Sequence, residues 1–308
     1  MWRYILRRSL LMIPIFLMIS MVIFSLIHIV PGNPIDNLLG PGMTLEHQRK
    51  LTEKYHLDKP LHIQYIIWFK NLLHGELGRS IIEKRPVSEL LMHHLPHSLQ
   101  LGLTAIALSF IMGVSMGILS ASARNTMVDY VAMIVALFGV TIPSFWLGLI
   151  LILIFSVLLG WFPVTGSGTL ITLVLPSVTL ALGGAGLIAR VTRVSMLEVV
   201  SKDFVVLLHA KGLGRRAILL KHILRNALIP VITILGLRLG WVLGGAVTVE
   251  IVFGRPGLGQ LLVTGLYRRD YPVVQGALLI LAMGIMLGTF LADILYAYAD
   301  PRIREQHR

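Results

Sequence analysis

The 308-residue sequence has no cysteine, which excludes disulfides, thiolate zinc sites and thiol catalysis. Charge is also scarce: 14% of residues are Asp, Glu, Lys or Arg, against roughly 25% in soluble globular chains. Acidic residues are the rarer kind, with 15 Asp and Glu against 27 Lys and Arg, a formal net charge of +12. No Gly-x-x-x-x-Gly-Lys-Ser/Thr loop occurs to cradle nucleotide phosphates. The nearest glycine cluster, Gly254-Arg255-Pro256-Gly257-Leu258-Gly259, lacks the lysine. What is abundant is apolar: 56% of residues are hydrophobic and the mean hydropathy is +0.80. Disorder, collagen and an ordinary water-soluble enzyme are thereby excluded. In a soluble protein the positive excess would suggest nucleic acid. Here the apolar residues form runs that suit lipid, so the question is which side of a membrane carries the charge. The chain reads as an all-α polytopic membrane protein.

A bilayer core of ~30 Å needs ~20 apolar residues. Six regions qualify, at about 10–30, 98–121, 129–160, 171–192, 227–249 and 271–298. A cleavable signal peptide competes for the first, but Pro31-Gly32-Asn33-Pro34 is no small-residue cleavage site, so residues 1–30 are taken as the first transmembrane helix. The region 129–160 contains Pro143 and could be one kinked span or two short ones. Counting it once gives six transmembrane helices with both termini inside. The inner segments then hold 15 Lys and Arg and the short outer loops 3, as the positive-inside rule requires. Counting it twice would put the main basic cluster outside. The expected layout is an external subdomain at 31–97, a five-helix core at 98–300 and a cytoplasmic tail at 301–308. Amphipathic stretches at 44–56 and 61–74 predict small helices within the external part.

The segment 190–226 holds Arg190, Arg193, Lys202, Lys211, Arg215, Arg216, Lys221 and Arg225 against Glu198 and Asp203. Apolar spacing at 200, 204, 207 and 208 predicts a short helix, and Gly212 and Gly214 offer a left-handed stop. Such a helix must bury its apolar face in a partner or rest on anionic headgroups. Both readings stand on the residues alone.

Motifs along the whole chain carry a resemblance. They include Pro31-Gly32-Asn33-Pro34, His56-Leu57-Asp58-Lys59-Pro60-Leu61, Gly75-Glu76-Leu77-Gly78-Arg79-Ser80 and Ala189-Arg190-Val191-Thr192-Arg193. Ala210-Lys211-Gly212-Leu213 and Lys221-His222-Ile223-Leu224-Arg225-Asn226-Ala227-Leu228-Ile229-Pro230 follow. The series ends with Val249-Glu250-Ile251-Val252-Phe253, Pro256-Gly257-Leu258-Gly259, Arg269-Asp270-Tyr271-Pro272 and Asp300-Pro301-Arg302. The sequence resembles permease subunits of binding-protein-dependent ABC importers, in the branch for di- and oligopeptides and nickel. The resemblance implies a type I, MetI-like permease in the cytoplasmic (inner) membrane of a prokaryote, with no chemistry or cofactor of its own. Its implied partners are a second homologous permease in a heterodimer, one or two cytoplasmic ATPase subunits, an extracytoplasmic substrate-binding protein and membrane lipid, but no nucleic acid. The implied activity is ATP-driven import of di- and oligopeptides by alternating access. A nickel or nickel-chelate importer is the alternative within the family, and a proton-coupled secondary transporter is the rival class.

By the same resemblance, Asp203, Phe204, Leu207, Leu208, Ala210, Lys211 and Gly212 form the coupling loop that docks into an ATPase groove. Phe204, Leu207 and Leu208 would supply apolar area there, and Gly212 a sharp turn close to the partner backbone. The set Val206-Leu207-Leu208-His209 departs from the family, which tends to carry small or polar residues there, and Asn33 replaces a usual Asp.

Other patterns admit two readings. Gly113-Val114-Ser115-Met116-Gly117 matches a hydrolase nucleophile elbow, yet it lies in an apolar helical run rather than a strand-turn-helix and suits close helix packing. Gly236, Gly240 and Gly244 repeat that packing spacing. Seven of the eleven histidines lie in 31–97; no carboxylate completes a ligand set and Pro96 interrupts His93, His94 and His97, so no metal site is assigned. Charged residues within spans are functional candidates. Arg238 and Glu250 are therefore translocation-pathway candidates, a structural pair with a carboxylate on another helix being the alternative for Arg238, and Asp293 is expected to face Arg190 or Arg193.

Overall fold

The computed structural model describes residues 2–29, 58–241 and 243–299. The expected helix at 44–56 and the tail at 301–308 lie outside the described residues. The described elements are helices, joined at one point by an isolated antiparallel bridge between Arg79 and Pro86. α1 (Trp2–Ile29) and α2 (Leu61–Leu73) precede the long α3 (Val87–Ser122). α4 (Met127–Thr141), α5 (Ser144–Leu158) and α6 (Leu170–Val200) follow. The short α7 (Asp203–Ala210) leads to α8 (Arg215–Gly240). α9 (Val247–Val252), α10 (Leu258–Tyr267) and α11 (Tyr271–Ala299) complete the chain.

Among the described residues, α1, α3, α6, α8 and α11 are each long and apolar enough to cross a membrane. The stretch expected as one kinked span is instead two helices, α4 and α5, bent by 111°. Pro143 has no N–H to continue α4, and it drives Ile142 into extended backbone (φ −75°, ψ 128°) as residues before proline prefer. Taken as one bent span, the pair gives six. The expected run at 227–249 also divides, because α8 stops at Gly240 and the chain turns before α9. Conversely, most of the basic segment 190–226 is helical. α6 continues to Val200 and α8 already starts at Arg215, since Arg and Lys are good helix formers.

Small residues set the packing. A Cβ on Gly113 would lie 2.6 Å from Ile188 Cβ, and one on Gly117 2.5 Å from Thr192 Cβ. α3 and α6 thus run parallel, nearly backbone to backbone. On the other side of α6, a Cβ on Gly186 would meet the Ala136 carbonyl of α4 at 2.1 Å. α8 and α11 are antiparallel, with Gly240 against Thr289 and Gly236 against Ala292. The packing reading of these glycines holds, and Ser115 is exposed on the lipid-length helix α3.

Ion pairs bring remote segments to one end of the bundle. Arg8 bonds Asp293 at 3.1 Å, joining the start of α1 to the last part of α11. Arg193 meets Asp129, joining α6 to the start of α4. The expected pairing of Asp293 with Arg190 or Arg193 is therefore corrected. Spacing within one helix carries no information about which remote helix lies beside it.

Candidate functional site

At that same basic end α7 lies across the helix ends. Val205 is buried with Met196, Val199, Ile218, Ile223 and Ala227, and Phe204, Leu208 and Leu213 pack against this cluster. Val206 and Leu207 are exposed, at 69% and 56%. Of the three apolar residues expected to make the docking face, Leu207 points outward, while Phe204 and Leu208 anchor the helix to its own chain. The outward pair is Val206 and Leu207.

The helix closes as its glycine predicts. Gly212 has φ +77°, its N–H donates to the His209 carbonyl at 2.9 Å, and the Leu213 N–H donates to the Leu208 carbonyl at 3.3 Å. This is a Schellman stop, in which the left-handed residue lets the next two amides turn back onto orphan carbonyls. Leu213 and Leu208 share the same apolar cluster, the contact that usually accompanies the motif. Gly214, also expected as a stop, is extended and begins α8 instead. No atom of the described residues outside its immediate neighbours lies within 4 Å of where a Gly212 Cβ would be. Asp203, Ala210 and Lys211 are exposed, so α7 presents a small apolar ridge on a charged rim.

Glu250 sits at the other end of the bundle, 1% exposed. Its carboxylate accepts the Ser98 hydroxyl at 2.5 Å and the Gly259 N–H at 2.7 Å. Ser98 in turn accepts the Leu258 N–H at 2.8 Å. A carboxylate at the first turn of α10 satisfies amides that have no partner within that helix. Glu250 thus ties α3, α9 and α10 together. Arg255, also 1% exposed, donates through Nη2 to Gln100 Oε1 at 2.7 Å.

A second carboxylate does similar work without having been singled out. Asp270 accepts the Ser80 hydroxyl, the Ile81 N–H at 3.1 Å and the Ile82 N–H at 3.3 Å. It pins the turn at 79–86 to the start of α11, joining two motifs about 190 residues apart in sequence. The buried pair Asp129 and Arg193 is likewise a tertiary discovery. Both nitrogens of the guanidinium fork reach the carboxylate at 2.7 Å, beside the Ser120 hydroxyl and the Asn125 N–H. A sequence signal existed for each, namely an acidic residue beside an apolar run, but nothing in it named the partner.

Arg238 is half-buried in the last turn of α8 and donates through Nη2 to the Gly183 carbonyl of α6 at 3.3 Å. It lines a cavity of about 70 Å³ among α3, α6 and α8. α3 runs through Pro96 unbroken, so His93, His94 and His97 do cluster, with ring centroids 5.3 and 6.1 Å from His93. Among the described residues no group of three or more His, Asp or Glu converges to hold a metal ion.

The chain matches the binding-protein-dependent transport system inner membrane component over residues 113–305 and the N-terminal component of the same transport systems over 1–102. It belongs to this family. It is therefore a multi-pass permease of the cytoplasmic membrane and not itself an enzyme; it works with a separate ATPase and a substrate-binding protein. Among its relatives, the oligopeptide transport system permease protein AppB of Bacillus subtilis (strain 168) is 41% identical over 97% of this chain and 98% of its own length. The glutathione transport system permease protein GsiC of Escherichia coli (strain K12) is 38% identical over 99% of each. The fold resembles the inward-facing MetNI methionine ABC transporter, with a TM-score of 0.58, 22% identity and coverage of 68% of this chain and 96% of that one. An amino acid ABC transporter solved with histidines gives a TM-score of 0.52 at 16% identity, over 69% and 94% of the two chains. These permeases share with this chain the helical architecture expected of the MetI-like type.

Proposed function

We propose that this permease conducts di- and oligopeptides across the cytoplasmic membrane by alternating access, paired with a second homologous permease in a heterodimer. Its two long relatives, named for oligopeptide and glutathione transport, favour a peptide substrate over nickel. Both termini and α7 lie on the cytoplasmic side in this reading, with residues 31–97 outside. The convergence of Arg8, Arg124, Arg193 and the basic ends of α6 and α8 at one end of the bundle supports that orientation, because positive segments stay inside.

The observation that carries the coupling role is α7 itself. A helix of eight residues is too short to persist alone in water. Here it is clamped by Phe204, Val205 and Leu208 and by the Gly212 stop, while Val206 and Leu207 stay uncovered. Asp203, Ala210 and Lys211 lie on the open rim. Rigid attachment on one face and an exposed ridge on the other is what a lever needs to transmit motion from a cytoplasmic ATPase to the spans.

The absence of native cysteine makes the test clean. Leu207→Cys is labelled with a maleimide in membranes that hold the full transporter and in membranes that hold the permeases alone. Strong protection by the ATPase subunits is expected, whereas equal labelling refutes docking at this ridge. Gly212→Val should abolish ATP-coupled peptide uptake while membrane insertion persists, because a β-branched residue resists φ +77° by roughly 1–2 kcal/mol.

A further inference from the structure

Arg238 is a charge packed against the middle of two membrane-length helices. Its neighbours are Gly183 and Gly184, midway along α6, and Ser109, midway along the apolar part of α3. A full charge at such a depth costs several kcal/mol unless it faces water or a partner. Within the described residues no carboxylate pairs with it, in contrast to Arg193 with Asp129 and Arg8 with Asp293. A guanidinium has five N–H donors, and among the described residues one acceptor meets it, the Gly183 carbonyl.

The surroundings leave the remaining donors room. The cavity beside Arg238 is lined by Gly102, Ala105, Ser109 and Gly245, with Trp241 at its edge. A methyl on Gly184 would fall 2.5 Å from Ser109 Oγ and 3.5 Å from Arg238 Nη1, so the glycine keeps the floor open. α8 ends at Gly240, two residues beyond the arginine. Irregular backbone at membrane depth is tolerated only where it is buried in protein or lines a cavity. Leu237 and Trp241 are 59% and 70% exposed, so this part of α8 faces outward from its own chain.

We propose that Arg238 is a subsite for a substrate carboxylate, engaged as the peptide passes between the spanning helices. The free C-terminus of a peptide supplies the two oxygens that a guanidinium fork binds in parallel. The assignment rests on the peptide reading above and adds which end of the substrate the permease recognises.

The test uses the complete transporter in proteoliposomes, with ATP inside the appropriate compartment and binding protein supplied at equal occupancy by tri-alanine or by tri-alanine amide. The wild type should import the free acid about 10-fold faster or more, because a charge-assisted hydrogen bond is worth ~1.5–3 kcal/mol. Arg238→Gln should bring the ratio near one. Arg238→Lys keeps the charge and loses the fork, so its ratio should fall several-fold with assembly intact. A wild-type ratio near one, or an unchanged ratio in both variants, overturns the subsite. Poor assembly of Arg238→Gln with an unchanged ratio in Arg238→Lys also overturns it, since the arginine would then pair with the second permease. If the wild type imports neither peptide, the peptide reading itself fails, an outcome distinct from all of these.

Discussion

Replacing Arg193 by methionine should destabilise the helical core sharply, although the residue lies far from any proposed substrate contact. Asp129 is 2% exposed and accepts four hydrogen bonds: two from Arg193 at 2.7 Å, one from Ser120 and one from the Asn125 amide at 3.0 Å. After Arg193→Met the last two remain on a carboxylate that water reaches poorly. Removing one member of a buried pair costs about 3–5 kcal/mol. The Arg193 side chain is 24% exposed, so some water can enter, and the expected loss lies near about 3 kcal/mol. Asp129→Asn keeps an acceptor and removes the charge, which should cost about 1–2 kcal/mol. The double variant removes both charges and should cost less than the two singles together by at least about 1.5 kcal/mol. Unfolding in mixed micelles, followed by far-ultraviolet circular dichroism, gives all four values. An Arg193→Met change within about 0.5 kcal/mol of wild type, or strict additivity in the double variant, refutes the argument.

Gly117→Ala places a methyl 2.5 Å from Thr192 Cβ; separating α3 from α6 should cost about 1–3 kcal/mol, read as a lower monodisperse fraction on size exclusion in detergent. Asp270→Ala frees the turn at 79–86, where Arg79, Lys84 and Arg85 are exposed. Trypsin should then cleave there much faster than in the wild type, and an unchanged rate would count against the latch. Glu250→Gln turns an acceptor oxygen into a donor facing either the Ser98 hydroxyl or the Gly259 N–H. The expected cost is about 1.5–3 kcal/mol, measured as a lower unfolding midpoint in micelles with insertion intact.

Hydropathy made the spans legible because lipid selects length and apolarity residue by residue; α1, α3, α6 and α11 cover the expected apolar runs, whereas α8 starts twelve residues earlier and stops at Gly240. Pro143 was legible as a break, but the 111° angle depends on what α4 and α5 pack against. The turn at Gly212 was legible because only a residue without a Cβ takes φ +77° cheaply. Which apolar residues of α7 face outward was not, since Phe204 and Leu208 find their partners on α6 and α8.

By itself the sequence determined membrane residence, the family, and the helix breaks at Pro143 and Gly212. Each follows from local chemistry: apolar run length, motif order, and glycine or proline at a turn. Tertiary structure alone decided the roles of the charged residues. Glu250 and Asp270 cap distant backbone, Asp129 and Arg193 pair across 64 positions, and Arg238 has no carboxylate partner among the described residues. A buried charge takes its meaning from what folding brings within about 3 Å of it, and spacing along one helix does not encode that.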